Sequence, residues 1–132
     1  QQGVCYFSLC FFCKEEDSLD HFFWDCPTVQ VVWREFLQWL QESFSHCTQL
    51  TLTKELIMFG SKEAVHTDRV FDLFLLLAKY HLYTARLKDM LPHIDIFRKI
   101  VQQRFGIEKY NALISSNIQQ FYSAWNRYME HI

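Results

Sequence analysis

Apolar side chains recur along this chain at the three-and-four spacing of helices rather than the strict alternation of strands. Between about Thr28 and Phe44 they fall at Val29, Val32, Trp33, Phe36, Leu37 and Leu40, one face of a helix whose first turn suits Pro27. Thr53 is placed to cap a short helix through Leu56, Ile57 and Met58, which Gly60 would stop. The spacing then predicts a long helix from about Thr67 to Lys88. Its charged residues Asp68, Asp72, Lys79 and Arg86 form one thin stripe, and a helix so nearly apolar all round is expected to be central. Trp33, Phe36 and Leu40 are expected to meet it through Phe74, Leu77 and Tyr80. After Pro92, the positions Ile94, Phe97, Ile100, Val101, Phe105 and Ile107 predict another helix, with a bend expected at Gly106. Ser115 or Ser116 is placed to cap a last one that buries Ile118, Phe121, Tyr122, Trp125 and Met129. Ahead of all these, Val4, Cys5, Tyr6 and Phe7 read as an apolar lead-in with the makings of a short strand.

Composition supports a packed helical domain. Half the residues are apolar and 17% are aromatic, which excludes a disordered chain. Three Gly and two Pro leave few sites for hairpins, so a multi-strand sheet is disfavoured. The chain of 132 residues suits one domain. Its longest apolar run, Leu73 to Ala78, is too short to span a bilayer, and no signal peptide is recognisable. Without an initiating Met, it reads as a piece of a longer protein.

Between the lead-in and the first helix lies a distinct pattern, Cys10-x2-Cys13-x7-His21-x4-Cys26. Two Cys separated by two residues place both sulfurs on one ion from a single tight turn. His21 and Cys26 would stand about 140° apart on a continuous α-helix, so they need a break. Pro27 supplies one by driving Cys26 out of helical geometry, and Ser18 is placed to cap the turn carrying His21. A Cys3His set fills a tetrahedral shell and leaves no open position, so the expected role is one structural zinc ion. Five Cys is an odd number for a disulfide framework. Cys5 competes with Cys10 as a ligand at a less favourable spacing, and Cys47 beside His46 is too isolated for a second site. The expected fold is therefore mainly α, a small Cys3His zinc knuckle in residues 1–27 leading into a bundle of four or five helices in residues 28–132.

The run from Cys10 to Leu40, CFFCKEEDSLDHFFWDCPTVQVVWREFLQWL, resembles the zinc-binding segment that follows the reverse transcriptase of LINE-type (non-LTR) retrotransposons, including those of fish. The resemblance rests on Cys10, Cys13, Asp17, Ser18, His21, Phe22, Phe23, Cys26 and Trp33, and continues weakly through 52–60 and 75–81. It implies the C-terminal zinc domain of the element's second-open-reading-frame protein, binding RNA or DNA during target-primed reverse transcription. The partners implied are nucleic acid and the remainder of the reverse transcriptase, in a cytoplasmic ribonucleoprotein and the nucleus. No catalytic motif of the polymerase or endonuclease lies within these residues, so the segment is not expected to be an enzyme, to take a small-molecule substrate or to enter a membrane.

Charge divides unevenly. Residues 1–66 hold nine acids against four bases, and residues 67–132 hold six acids against nine bases. The bases of the second half interleave with aromatics, giving Lys79, Tyr83, Arg86, Lys88, Arg98, Lys99, Arg104 and Lys109 as candidate nucleic-acid contacts. Lys79, Tyr83 and Arg86 share one helix face. The alternatives are ordinary solvated side chains over a core, and a scaffold that docks onto the polymerase or a host protein.

Overall fold

The computed structural model describes residues 9–60 and 68–132. The lead-in strand expected at Val4–Phe7, Cys5 as a rival ligand, and Thr67 as a helix start lie outside them. The mainly α fold is as expected. After a turn of π-helix at His21–Asp25 come five α-helices, α1 (Pro27–Ser43), α2 (Lys54–Phe59), α3 (Arg69–Leu87), α4 (Ile94–Ile114) and α5 (Ile118–Trp125). Among the described residues the sole β pairing is an isolated bridge between Leu9 and Glu16. No helix of the described residues is long and apolar enough to cross a membrane.

Local chemistry sets most of the boundaries. Pro27 occupies the first turn of α1, where its missing N–H costs nothing. The Thr53 hydroxyl accepts the Leu56 N–H at the start of α2, and Gly60, at φ +77°, ends that helix. Asp68 starts α3 by accepting the Phe71 N–H. Its second carboxylate oxygen takes the Tyr128 hydroxyl and, at 2.9 Å, the Arg127 guanidinium, tying the end of the chain to the start of α3. Burial and that carboxylate hold the Tyr128 phenol protonated. α4 runs as one helix through Gly106. One expectation fails: neither Ser115 nor Ser116 caps α5. Both serines close α4 instead: Ser116 is left-handed at φ 59°, and the next amide, of Asn117, reaches back to the Ala112 carbonyl.

The core is an aromatic lattice around α3. Phe74 packs against Trp39 of α1, Phe44, Trp125 of α5 and Tyr128, with ring centroids 5.1–6.3 Å apart. α1 meets α3 through the Trp39 ring on Phe74, and Trp33, Phe36 and Leu40 are buried in the same core as Phe74 and Leu77. Phe36 turns to Phe97 of α4, Trp33 serves the N-terminal segment, and Tyr80 is exposed. α3 is central as expected, burying Val70, Phe71, Phe74, Leu75, Leu77, Ala78, His81, Leu82 and Ala85. Its most exposed line is not the charged stripe. Leu76, Tyr80, Tyr83 and Leu87 face solvent, displaced about a quarter turn from Lys79 and Arg86, which are half-buried.

Candidate metal centre

Cys10, Cys13, His21 and Cys26 come together. Their ligand atoms all lie within 4.8 Å of one another, close enough to hold one metal ion. Cys10 Sγ stands 3.7 Å from Cys26 Sγ, and Cys13 Sγ stands 3.1 Å from His21 Nε2. A tetrahedral ion with bonds of about 2.3 Å to sulfur separates its sulfurs by about 3.8 Å. The donor set therefore fits such an ion with small adjustment.

Three local devices build the cluster. From Cys10 to Cys13 the chain folds into a tight knuckle, closed by the Lys14 N–H on the Cys10 carbonyl and the Cys10 N–H on the Glu15 carbonyl. Lys14 takes the left-handed conformation at φ 69° to allow it. The Ser18 hydroxyl accepts the His21 N–H at 3.0 Å, as expected of a cap. The third device is the π turn. The Cys26 N–H reaches the His21 carbonyl at 2.9 Å, a five-residue repeat that widens the helix and brings residues five apart toward one side. Cys26 then leaves helical geometry, at ψ 129°, immediately before Pro27. The break at Pro27 was legible from sequence, whereas the widened turn before it was not.

Cys26 also sits at the N-terminus of α1. Burial pushes its thiol up to about 11, opposed by the backbone amides of Val29 and Thr28 and reinforced by the Cys13 and Cys10 thiols. Crowded buried thiols resist ionisation alone; a shared cation supplies the positive charge that thiolates need. Cys47, by contrast, is buried away from the cluster with its thiol also raised by burial, and its neighbour His46 is exposed.

Three anchors hold the cluster to the bundle, and residue spacing announced none of them. The Trp33 indole N–H donates to the Phe23 carbonyl at 2.6 Å. Lys54 of α2 bridges Asp20 and Asp25 at 3.1 and 3.4 Å. Arg86 of α3 pairs with Asp17, whose side chain is only 8% exposed, and lies 5.2 Å from the Phe22 ring centroid. Asp17 and Arg86 are far apart in the sequence, and only the fold reveals the pair.

The nucleic-acid candidates fare unevenly. Lys79, Tyr83 and Arg86 do share one side of α3, but Arg86 is committed to Asp17. Lys79 is half-buried, and desolvation lowers its pKa. Arg104 lies 4.0 Å from Glu108, and Lys109 is half-buried on the same helix. Lys88, Arg98 and Lys99 are exposed, with no acidic side chain of the described residues in ion-pair reach. No known protein family, characterised protein or solved structure matches the chain.

Proposed function

We propose that this chain is a zinc-stabilised nucleic-acid-binding module of the kind that follows the reverse transcriptase in LINE-type retrotransposons, where it would hold RNA or DNA during target-primed reverse transcription. The observation that carries the binding role is the first half of α4. From 98 to 104 its exposed residues are Arg98, Lys99, Gln102, Gln103 and Arg104, with no acid among them, and Lys88 precedes them as a further exposed base. Bases of this kind contact phosphate, and amide side chains hydrogen-bond to phosphate, sugar or base edges. Zinc is the metal that a closed Cys3His set suits, because four protein ligands complete its tetrahedral shell. The family reading draws on Asp17, Phe22, Phe23 and Trp33, all of which serve the metal segment: Asp17 through Arg86, Trp33 through Phe23, and Phe22 in its core.

Elemental analysis of the purified protein should find one zinc per chain. Affinity for RNA, single-stranded DNA and duplex DNA should fall steeply with salt. The quadruple change Lys88→Glu, Arg98→Glu, Lys99→Glu and Arg104→Glu should weaken binding to every sequence. It should also flatten the salt dependence by about 0.7 logarithmic units per lost contact for a single strand. A folded, metal-loaded parent with no affinity, or one indifferent to these four charges, would remove the proposal.

A further inference from the structure

α3 ends in a closed turn, with Asp89 left-handed at φ 54° and the Met90 N–H reaching back to the Ala85 carbonyl at 2.8 Å. Leu91 and Pro92 then lead to His93, whose backbone N–H donates at 2.9 Å to Nε2 of His81, a buried side chain of α3. His93 is also the hub on which α4 starts. Its carbonyl accepts the Ile96 and Phe97 amides at 3.1 and 3.2 Å, and its Nδ1 accepts the Asp95 amide at 3.1 Å. The peptide group that opens α4 is thus oriented by the ring of His81.

A neutral imidazole has one ring nitrogen free to accept, so His81 acts here as the tautomer protonated at Nδ1. A proton added at Nε2 turns the acceptor into a donor, and two N–H groups then face each other. It also places a charge where water is excluded. Nothing nearby compensates that charge. No carboxylate of the described residues pairs with His81, and His93, the charged group that acts on its ring, opposes a second positive charge. The corner has a short way out. Residues 88–96 are all exposed or half-buried, so they can leave α3 and admit water to His81 while the aromatic core stays covered. Phe97 limits the opening, because its buried ring sits against Phe36 and Trp39 with centroids 5.2 and 5.6 Å away.

We infer that His81 is a proton-operated latch: neutral, it holds the start of α4 against α3, and protonated, it releases the corner from Lys88 to Ile96. That corner carries Lys88 and leads into Arg98 and Lys99, so its release loosens their spacing. The latch itself does not depend on what those bases bind.

Amide hydrogen exchange of the whole chain tests this. Protection of the His93 and Ile96 amides should fall fivefold to tenfold between about pH 7.5 and about pH 5.5, the gain in opening that one proton gives a ring held below 6.5 when closed and released to 6.5 when open. Low urea should leave those rates unchanged, because opening the corner exposes little surface, whereas exchange through global unfolding accelerates. His81→Gln supplies a side-chain carbonyl that takes no proton, so it should keep the protection at the lower pH and control for everything else that acid does. His93→Asn keeps a cap on α4 without a titrating ring and should leave the fall in place, which assigns it to His81. If His81→Gln does not fold, the ring-nitrogen shifts of His81 in the parent decide: Nε2 should be bare at neutral pH and gain its proton in step with the loss of protection. Protection indifferent to acid, an equal fall in His81→Gln, rates that follow global unfolding in urea at both pH values, or a proton on Nε2 at neutral pH would each overturn the latch.

Discussion

The segment from Leu9 to Cys26 and the bundle that follows are held by different forces. In the segment, Cys10, Phe22 and Cys26 are buried, while Phe11, Phe12, Phe23 and Trp24 are only half-buried around them. Its order comes from four convergent ligand atoms, a few turn hydrogen bonds and three anchors into the helices. The bundle has the reverse character. Trp39, Phe44, Phe74, Phe97, Trp125 and Tyr128 form a continuous buried lattice. So small a segment cannot bury enough apolar surface to offset its own ordering entropy, and point contacts take over where area fails. The helices need no such help.

Metal removal should separate the two regions most sharply. A chelator, or Cys26→Ser, should lower the melting temperature by on the order of 10 °C, since loss of a few kcal/mol moves a domain of this size by that much. Hydrogen exchange should then show the segment opening while α3 to α5 stay protected. Uniform loss of protection would break the distinction. Phe74→Ala should act from the other side, costing about 3–5 kcal/mol in urea unfolding because the ring touches four aromatic neighbours. The same change at half-buried Phe23 should cost visibly less.

Arg86→Ala tests the hinge between them. It strands a mostly buried Asp17 carboxylate and should cost about 2 kcal/mol, part of which Asp17→Asn restores in the double variant. Acid probes the bundle through His81. His81 is buried, its Nε2 accepts the His93 N–H, and burial lowers its pKa below the ordinary histidine value of 6.5. The unfolded chain therefore binds the extra proton, so stability is intact above pH 6.5 and falls as pH drops below it. His81→Gln should flatten that slope, measured by urea unfolding at several pH values. The smallest contrast lies within α1. Trp33→Phe loses its hydrogen bond to the Phe23 carbonyl and should cost about 1 kcal/mol more than Trp39→Phe, since the Trp39 indole N–H has no acceptor among the described residues.

The ligand set was legible because metal coordination imposes residue types and short spacings that survive in one dimension. Helices α1, α2 and α3 were legible for a similar reason: Pro27, Thr53, Gly60 and the apolar period act within a few residues of themselves. Ser115 and Ser116 misled because a serine after one helix and before the next fits either role. Backbone closure of α4 decided between them.

Other features needed the fold. The sequence by itself determined which segments are helical, which four side chains come close enough to hold a metal ion, and that α3 is central, because each follows from local propensity, spacing or periodicity. Only the tertiary structure decided that Trp39 meets α3, that Arg86 is bound to Asp17, and that the outer line of α3 is apolar. Those outcomes depend on the rotation of one helix against its neighbours. Periodicity gives a helix its faces, but packing chooses which of two apolar faces on α3 is covered.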